Sequence, residues 1–190
     1  MIIGITGGSG SGKSTLLKVL EEHGFTVLDC DAIYHALLQT DSQMLESIHA
    51  RFPGVIAEGK LDRKKLGGIV FADPAALEDL NAITHRHVKE KVQSLLPPSA
   101  PAAIDAIGLF ESGLADLCHI TVAVTAPVTQ RIQRLIERDG ISEEYARSRI
   151  AAQLSDEAFS ACCDYTLVND GDKDSFQLKC LAFLKENSII

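Results

Sequence analysis

The chain has 190 residues, 46% of them apolar and 23% charged, a composition typical of a soluble globular protein with a substantial core. Its formal net charge of −8 argues against a nucleic-acid-binding protein, since such proteins usually carry a basic face. No apolar run approaches the roughly 20 residues that cross a membrane, and no basic segment follows Met1. We therefore expect a cytoplasmic protein that binds neither nucleic acid nor membrane.

The start of the chain has a strand–helix–strand pattern. Residues 2–6 form a short apolar run that ends in glycines, as a buried strand does. Apolar residues at helical spacing run from Lys13 to His23 and stop at Gly24. Residues 25–28 predict a second strand. This succession predicts the βαβ unit of a parallel sheet.

The segment between the first strand and the first helix, GGSGSGKS, fits the phosphate-loop pattern G-x-x-x-x-G-K-[ST]. Its glycines let successive N–H groups face inward, and the following helix adds its positive end. Lys13 is expected to contact the β- and γ-phosphates, and the Ser14 hydroxyl to bind Mg²⁺. A glycine turn that merely precedes a lysine is the alternative. The flanking strand and helix favour ATP binding by Gly8, Ser9, Gly10, Ser11, Gly12, Lys13, Ser14 and Thr15.

Two carboxylates, Asp29 and Asp31, follow the second predicted strand. Ligands of parallel α/β sheets collect at the carboxyl ends of strands, so we expect this pair to face the phosphate loop. If the chain is extended there, both side chains point to the same side. Such a carboxylate could accept the proton of an attacking hydroxyl or help hold Mg²⁺ through water. Alternatively, Asp31 could cap a helix that starts at Ala32.

Residues 32–98 have mostly helical patterns, interrupted by glycines and prolines. The longest pattern predicts one helix over residues 75–96, closed by two prolines. His85 and His87 invite interpretation as metal ligands, but side chains two residues apart on a helix point in different directions. We therefore interpret the segment as a helical insertion without a shared histidine site.

Sheet character returns after this insertion. Further strands are predicted over residues 102–107, 120–124 and 165–168, with a helix from Pro127 to about Arg138 and a closing helix over residues 174–186. The polar stretch at residues 139–160 predicts short helices in a mobile segment. The whole pattern predicts an α/β fold: a three-layer P-loop NTPase core with a mainly parallel five-stranded sheet, a helical insertion and a late mobile segment.

Three arginines share one face of the helix that follows the fourth core strand, because Arg131, Arg134 and Arg138 lie at i, i+3 and i+7. Aimed at the loop, they could stabilise charge on the phosphoryl oxygens; aimed at solvent, they would form an ordinary basic surface. We select Arg138 as catalytic because it lies where the core meets the mobile segment at residues 139–160. Asp105, in the third core strand, is a second candidate acid for magnesium and ranks below Asp31.

These motifs, in this order, resemble the dephospho-coenzyme A kinase family of P-loop kinases. The matches are T-G-G-x-G-S-G-K-S at residues 6–14, D-A-D at 29–31, the G…L-x-R…L…V-F series at 59–71, H-P-x-I at 85–88, P-L-L-x-E at 107–111, R-x-x-x-R-D at 134–139, and a late Q and A-D-x-x-x-x-N-x-G at 153 and 163–171. The chain departs from the family pattern at Cys30, Arg86, Ile107, Gly108 and Cys163. These departures concern substrate contacts more than the reaction class.

The resemblance implies transfer of the γ-phosphate of ATP, bound with Mg²⁺, to the ribose 3′-hydroxyl of dephospho-CoA, the last step of coenzyme A biosynthesis. By this resemblance Asp31 would be the base for the hydroxyl. Arg63, His85 and Glu111 would lie towards the CoA side. From the residues alone, Glu111 could instead start a helix near Ser112.

The resemblance also implies a domain organisation. Residues 1–31 and 102–190 would form the nucleotide-binding core, with a lid at about 138–160, and residues 32–101 the CoA-binding insertion. Two alternatives remain: a kinase for a nucleoside, nucleotide or other small metabolite, and a non-catalytic ATP-binding module. The sequence does not predict the oligomeric state, and for adenine it offers only the loop around Asn169 and Gly171 as a candidate.

Overall fold

The computed structural model describes residues 1–57 and 59–190. They form two compact units, one made of Met1–Leu28 and Pro97–Ile190 and the other of Asp29–Leu96. Within the described ranges, no helix is both long and apolar enough to span a lipid bilayer.

Strands and helices follow one another along the described residues, and a 3₁₀ turn lies at Leu114–Leu117. In chain order the elements are β1 (Ile2–Thr6), α1 (Lys13–Glu22), β2 (Thr26–Asp29), α2 (Cys30–Thr40), α3 (Ser42–Arg51), β3 (Ile56–Ala57), β4 (Lys60–Leu61), α4 (Arg63–Val70), α5 (Pro74–Leu95), β5 (Ala102–Asp105), β6 (Ile120–Thr125), α6 (Val128–Asp139), α7 (Glu143–Ala151), α8 (Asp156–Cys162), β7 (Tyr165–Val168) and α9 (Lys173–Glu186).

The predicted five-stranded α/β sheet is confirmed. Its spatial order is β2-β5-β1-β6-β7, with β1 parallel to both β5 and β6, and β6 parallel to β7. Parallel neighbours need a crossover connection between them, which helices supply in this sheet. Because β1 is the central strand, the loop that follows it emerges between the carboxyl ends of β5 and β6, where ligands of such sheets bind.

The core of this unit forms where α1 and α9 pack together beside the sheet. Ile3 and Ile5 on β1 are at most 1% exposed, and Leu16 and Leu20 on α1 are fully covered. A strand buried in this way has a continuous apolar run rather than an alternating one, which is why β1 could be predicted. The predicted strand at residues 102–107 is shorter in the structure and ends at Asp105.

The described residues of the Asp29–Leu96 unit form the helices α2 to α5 and a short antiparallel pair of strands. The long helix expected over residues 75–96 is confirmed as α5, with Asp73 as its N-cap and Pro74 in its first turn. Helices α2, α3 and α4 pack against α5. The antiparallel pair β3–β4 was not predicted, because strands of two residues are too short to show a period.

A buried polar contact fastens α5 to the junction of α2 and α3. His87 is 5% exposed, and its Nδ1 lies 2.9 Å from Asp41 Oδ2. Asp41 also caps α3 by accepting the Met44 N–H. Arg86 Nη2 lies 3.2 Å from His87 Nε2. Because a guanidinium only donates, this Nε2 accepts and the Nδ1–H donates to Asp41. His87 therefore has a structural role.

Candidate active site

The segment between β1 and α1 forms an anion-binding loop. Gly7, Gly10 and Gly12 have φ values of 137°, 79° and 104°, which side-chain-bearing residues rarely adopt. Gly12 is the N-cap of α1, and it offers no side chain to bond the first N–H groups of the helix. Those N–H groups and the positive end of the helix dipole suit a phosphate oxygen.

Lys13 lies along the inner side of this loop. Its Nζ donates a 2.8 Å hydrogen bond to the Gly7 carbonyl and lies 3.9 Å from Asp105 Oδ1. Its side chain is only 13% exposed, so its charge is directed to the loop rather than to bulk water. Asp105 ends β5, and Ser14 is exposed in the first turn of α1. A cation and a carboxylate thus meet beside the loop, and a hydroxyl lies on the residue that follows Lys13.

Several backbone N–H groups of the loop are engaged within the protein. The Ser11 N–H donates to Gly8 O at 3.1 Å and the Thr15 N–H to Gly12 O at 3.0 Å. The Ser9 N–H donates to Gln153 Oε1 at 2.8 Å. Three of the residues predicted to bind ATP therefore use their N–H groups to set the shape of the loop.

The arginine face predicted on α6 meets the outer side of the loop, where backbone carbonyls point. Arg131 Nε donates to Ser9 O at 3.0 Å. Arg134 Nη1 donates to Gly10 O at 3.2 Å and to Ser11 O at 3.4 Å. These contacts hold the loop in shape through three of its carbonyls.

Arg138, selected from the sequence as the catalytic arginine, has a different position. It lies in the last turn of α6, its side chain is 63% exposed, and its Nε donates to Asp139 Oδ1 at 2.7 Å. Hydrogen bonds from Arg138 and from Arg149 lower the pKa of Asp139 to about 2. In this structure the loop is contacted by Arg131 and Arg134, and the catalytic role of Arg138 stays a prediction.

Sequence reasoning missed Asn169 as a support of the phosphate loop. This residue was only a candidate for adenine binding, yet its side chain is 4% exposed and its Nδ2 donates to Ser11 O at 2.8 Å. Its Oδ1 accepts from Arg134 Nη2 at 3.1 Å. The available signals were an asparagine directly after a strand, at the edge of the sheet where ligands bind, and its match to the N of the family motif at residues 163–171.

Asp29 and Asp31 are arranged differently from the expectation of an extended chain. That expectation is wrong, because α2 already begins at Cys30. Asp29 is the N-cap and accepts the Ala32 N–H at 2.9 Å, so the suggested capping by Asp31 is also wrong. Asp31 lies exposed in the first turn of α2. Its carboxylate is accessible to a ligand.

The predicted substrate-binding residues lie in both units. Arg63, at the start of α4, has Nη2 3.2 Å from Nδ1 of His35 on α2. Burial raises the pKa of Tyr34, and the charge of Arg63 opposes this rise. His85 is half-buried on α5. Glu111 belongs to the first unit and lies exposed in a turn before the 3₁₀ helix, whose N-cap is Gly113, so Glu111 does not start that helix.

Comparison with known proteins identifies the family. A model of the dephospho-CoA kinase family matches residues 1–175. The chain is 37% identical over 182 residues to the dephospho-CoA kinase of Thermobifida fusca, covering 93% of this chain and 91% of that protein. A solved structure from Thermus thermophilus is 34% identical and has a TM-score of 0.77, covering 98% and 97% of the two chains. The dephospho-CoA kinase of Campylobacter jejuni is 26% identical, with a TM-score of 0.68 over 98% and 96%.

The family match spans the phosphate loop, the whole Asp29–Leu96 unit and the helices α6 to α8. It argues against the alternatives left open by the residues alone, a kinase for another small metabolite and a non-catalytic ATP-binding module. The chain belongs to the dephospho-CoA kinase family and is an ATP-dependent P-loop kinase of coenzyme A biosynthesis.

Proposed function

We propose that this chain transfers the γ-phosphoryl group of Mg·ATP to the ribose 3′-hydroxyl of dephospho-CoA, with Asp31 as the base. The observation that carries the proposal is the loop at the centre of the sheet, where Lys13 lies across an N–H-lined turn. Phosphoryl transfer needs little covalent chemistry from the protein, so its catalysis depends on positioning and on charge stabilisation.

The phosphates of ATP bind against the first turn of α1. The N–H groups at the start of the helix surround the phosphate oxygens, and Lys13 neutralises charge on the β- and γ-phosphates. The carbonyl contacts of Arg131 and Arg134 support this geometry, because they keep the loop in its binding conformation before ATP arrives. A preformed arrangement of this kind needs little reorganisation during the reaction.

The residues beside the loop fit a magnesium ion that arrives with ATP. Mg²⁺ prefers oxygen ligands and commonly binds through one or two protein oxygens, the nucleotide phosphates and water. The Ser14 hydroxyl and the Asp105 carboxylate supply such oxygens at the mouth of the loop. In the described ranges no three His, Cys, Asp or Glu side chains form a cluster that could hold a metal alone. Bound there, the ion would neutralise charge on the phosphates.

Asp31 is proposed as the base because its carboxylate is exposed and Asp29 already caps the helix. An accessible carboxylate can accept the proton of the 3′-hydroxyl as the oxygen attacks phosphorus. The amide of Asn would keep the size of the side chain and lose this ability. Asp31 is therefore expected to affect turnover more than ATP binding.

The Asp29–Leu96 unit is proposed as the CoA-binding insertion. Arg63 and His35 form an exposed pair there, and a guanidinium suits the pyrophosphate of the acceptor. His85 and, from the other unit, Glu111 are proposed as further acceptor contacts on the strength of the family resemblance. Residues 138–160, with Arg138, are proposed as the lid that excludes water during transfer.

The direct experiment combines the purified chain, ATP, Mg²⁺ and dephospho-CoA, with chromatography to detect CoA and ³¹P NMR to locate the new phosphate on the 3′-oxygen. Lys13→Ala should abolish the reaction, whereas Lys18→Ala, on the exposed face of α1, should not. A panel of nucleosides and nucleotides serves as competing acceptors. Absence of CoA formation by the folded wild-type chain, or faster phosphorylation of a nucleoside, would refute the proposal.

A further inference from the structure

Gln153 reaches the phosphate loop from the turn between α7 and α8. Its Oε1 accepts the Ser9 N–H at 2.8 Å, and its Nε2 donates to Ser9 Oγ at 2.8 Å. The two residues are 144 positions apart in the chain. One side chain thus binds both the backbone and the hydroxyl of a loop residue.

Arg131 completes this contact. Its guanidinium is 2% exposed and donates from Nε to Ser9 O at 3.0 Å and from Nη2 to Gln153 Oε1 at 3.3 Å. Its Nη1 donates to Oδ1 of Asp156, the first residue of α8, at 2.9 Å. The N–H, the carbonyl and the hydroxyl of Ser9 are therefore all bound by these side chains, a set that we term the Ser9 clamp (Ser9, Arg131, Gln153 and Asp156).

Arg131 of the clamp packs closely against the loop at Gly8. A Cβ added to Gly8 would overlap the Arg131 guanidinium. Burial lowers the pKa of Arg131 and the charge of Asp156 opposes this, as expected for a desolvated but paired cation. A buried charge with this many defined partners has few alternative arrangements, so it holds the loop in one conformation.

The contacts of residue 153 need a side chain that both accepts and donates hydrogen bonds, as an amide does. The oxygen accepts from two donors, the Ser9 N–H and Arg131, while the nitrogen donates to a hydroxyl. Glutamate could accept but not donate, and methionine could fill the space but would accept only weakly and not donate. Since these hydrogen bonds go to Ser9 and Arg131, the effect of the side chain on ATP would run through Ser9.

We propose that Gln153 is a positioning residue for ATP: through the Ser9 clamp it sets the conformation of the phosphate loop and ties that loop to the α7–α8 segment. Loss of the clamp then weakens binding of the phosphates, because N–H groups that are no longer held must be ordered by the ligand. Binding of dephospho-CoA, the phosphoryl acceptor, is expected to stay unchanged. This inference rests on the proposed function only in taking the loop as the ATP site.

The test uses the full chain with Gln153→Met, which keeps side-chain length and removes the hydrogen bonds. Gln133→Met is the matched control, since Gln133 is exposed on α6 and bonds to Glu137. We expect Gln153→Met to raise the Kd and the KM for Mg·ATP about tenfold, as the loss of its two hydrogen bonds to Ser9 implies. The KM for dephospho-CoA should stay within about twofold in both variants, since a general loss of structure would raise both KM values.

A double-mutant cycle tests whether the effect runs through Ser9. Ser9→Ala removes only the hydroxyl, so Ser9→Ala combined with Gln153→Met should bind ATP no more weakly than Gln153→Met alone. Additive losses would mean that the two side chains act independently and would overturn the proposal, as would an unchanged Kd for ATP in Gln153→Met. If thermal unfolding shows that Gln153→Met does not fold, Gln153→Ala, which removes the same hydrogen bonds, decides by the same criterion: an unchanged Kd for ATP overturns the clamp.

ATP binding is measured by calorimetry without any acceptor. A chain that binds ATP through the clamp but makes no CoA would refute the proposed function and leave this inference standing. If instead the wild-type chain makes CoA and Gln153→Met binds ATP as tightly as the wild type, the proposed function stands and this inference is refuted.

Discussion

Gly12 and Asn169 are in such close contact that a Cβ on Gly12 would overlap the Asn169 side-chain amide. The same amide donates to Ser11 O at 2.8 Å, and its oxygen accepts from Arg134. The glycine of the phosphate-loop pattern is thus required by the protein itself, independently of any nucleotide. Asn169 thus holds the loop at Ser11, and the Ser9 clamp holds it at Ser9.

Asn169→Ala should weaken ATP binding. It removes a buried donor and leaves the Ser11 carbonyl without that hydrogen bond, which costs about 1–3 kcal/mol of stabilisation of the loop. We expect the Kd for Mg·ATP to rise about tenfold by calorimetry, and the melting temperature to fall by a few degrees. Asn187→Ala is the control, because Asn187 also donates to a carbonyl, that of Phe183, at the end of α9. Equal effects of the two substitutions on ATP binding would contradict the role of Asn169.

Ser14→Ala should change the magnesium requirement. The Ser14 hydroxyl is exposed at the start of α1, where it can bind an ion that arrives with ATP. Without it, we expect the Mg²⁺ concentration for half-maximal activity to rise about tenfold, as the loss of one ligand worth about 1.4 kcal/mol implies. Ser94→Ala on α5 is the control, since its hydroxyl donates to Lys91 O within its own helix. Saturation of both variants at the same Mg²⁺ concentration as the wild type would remove Ser14 from the metal site.

Asp31→Asn should separate chemistry from binding. The amide cannot take the proton of the 3′-hydroxyl, so we expect kcat to fall about 10²–10⁴-fold, the usual contribution of general-base catalysis. The Kd for ATP should change less than about threefold. Asp73→Asn makes the same change at the N-cap of α5, where Asn caps as well as Asp, and should leave kcat unchanged. Turnover near the wild-type rate in Asp31→Asn would exclude Asp31 as the base.

Local patterns predicted the strand β1, the phosphate loop and α1, because each depends on residues adjacent in the chain. Helical spacing also predicted that Arg131 and Arg134 share a face. Spacing alone could not distinguish the buried Arg131 from the exposed Arg138, since that difference depends on Asp156 and on the loop, which lies more than 120 positions away. Such long-range polar contacts have no local signature.

The Asp29–Asp31 segment shows a different limit. An apolar run that ends in a carboxylate predicts the end of a strand. Whether the chain then stays extended or enters a helix depends on which of the two carboxylates caps that helix. Asp29 does so by bonding the Ala32 N–H, and α2 begins at Cys30. Asp31 remained a candidate for catalysis, although the alternation argument that first favoured it was wrong.

The contact between Asp41 and His87 makes a prediction about acid stability. Burial alone would raise the pKa of Asp41, but hydrogen bonds from the Met44 N–H and from His87 outweigh it and lower that pKa below 3.8. A carboxylate whose pKa is lowered on folding contributes stability above its unfolded pKa and loses it as the pH falls through the folded pKa. The contribution of Asp41 should therefore be complete at pH 5–7 and decline below about pH 3.8.

Asp41→Asn isolates this contact, because Asn still caps α3 and only the interaction with His87 is impaired. At pH 7 we expect the free energy of unfolding to fall by about 1–2 kcal/mol. If the Asn oxygen caps α3, its NH₂ group faces the His87 Nδ1–H, and two donors cannot bond to each other. Urea unfolding followed by circular dichroism from pH 7 to pH 3 should show the wild-type and variant curves converging below about pH 3.8. Asp73→Asn, at a helix cap on the same unit, is the control for the cap itself, since Asn caps as well as Asp and the stability at pH 7 should change little. A stability difference that stays constant down to pH 3 would mean that the carboxylate charge of Asp41 does not stabilise the fold.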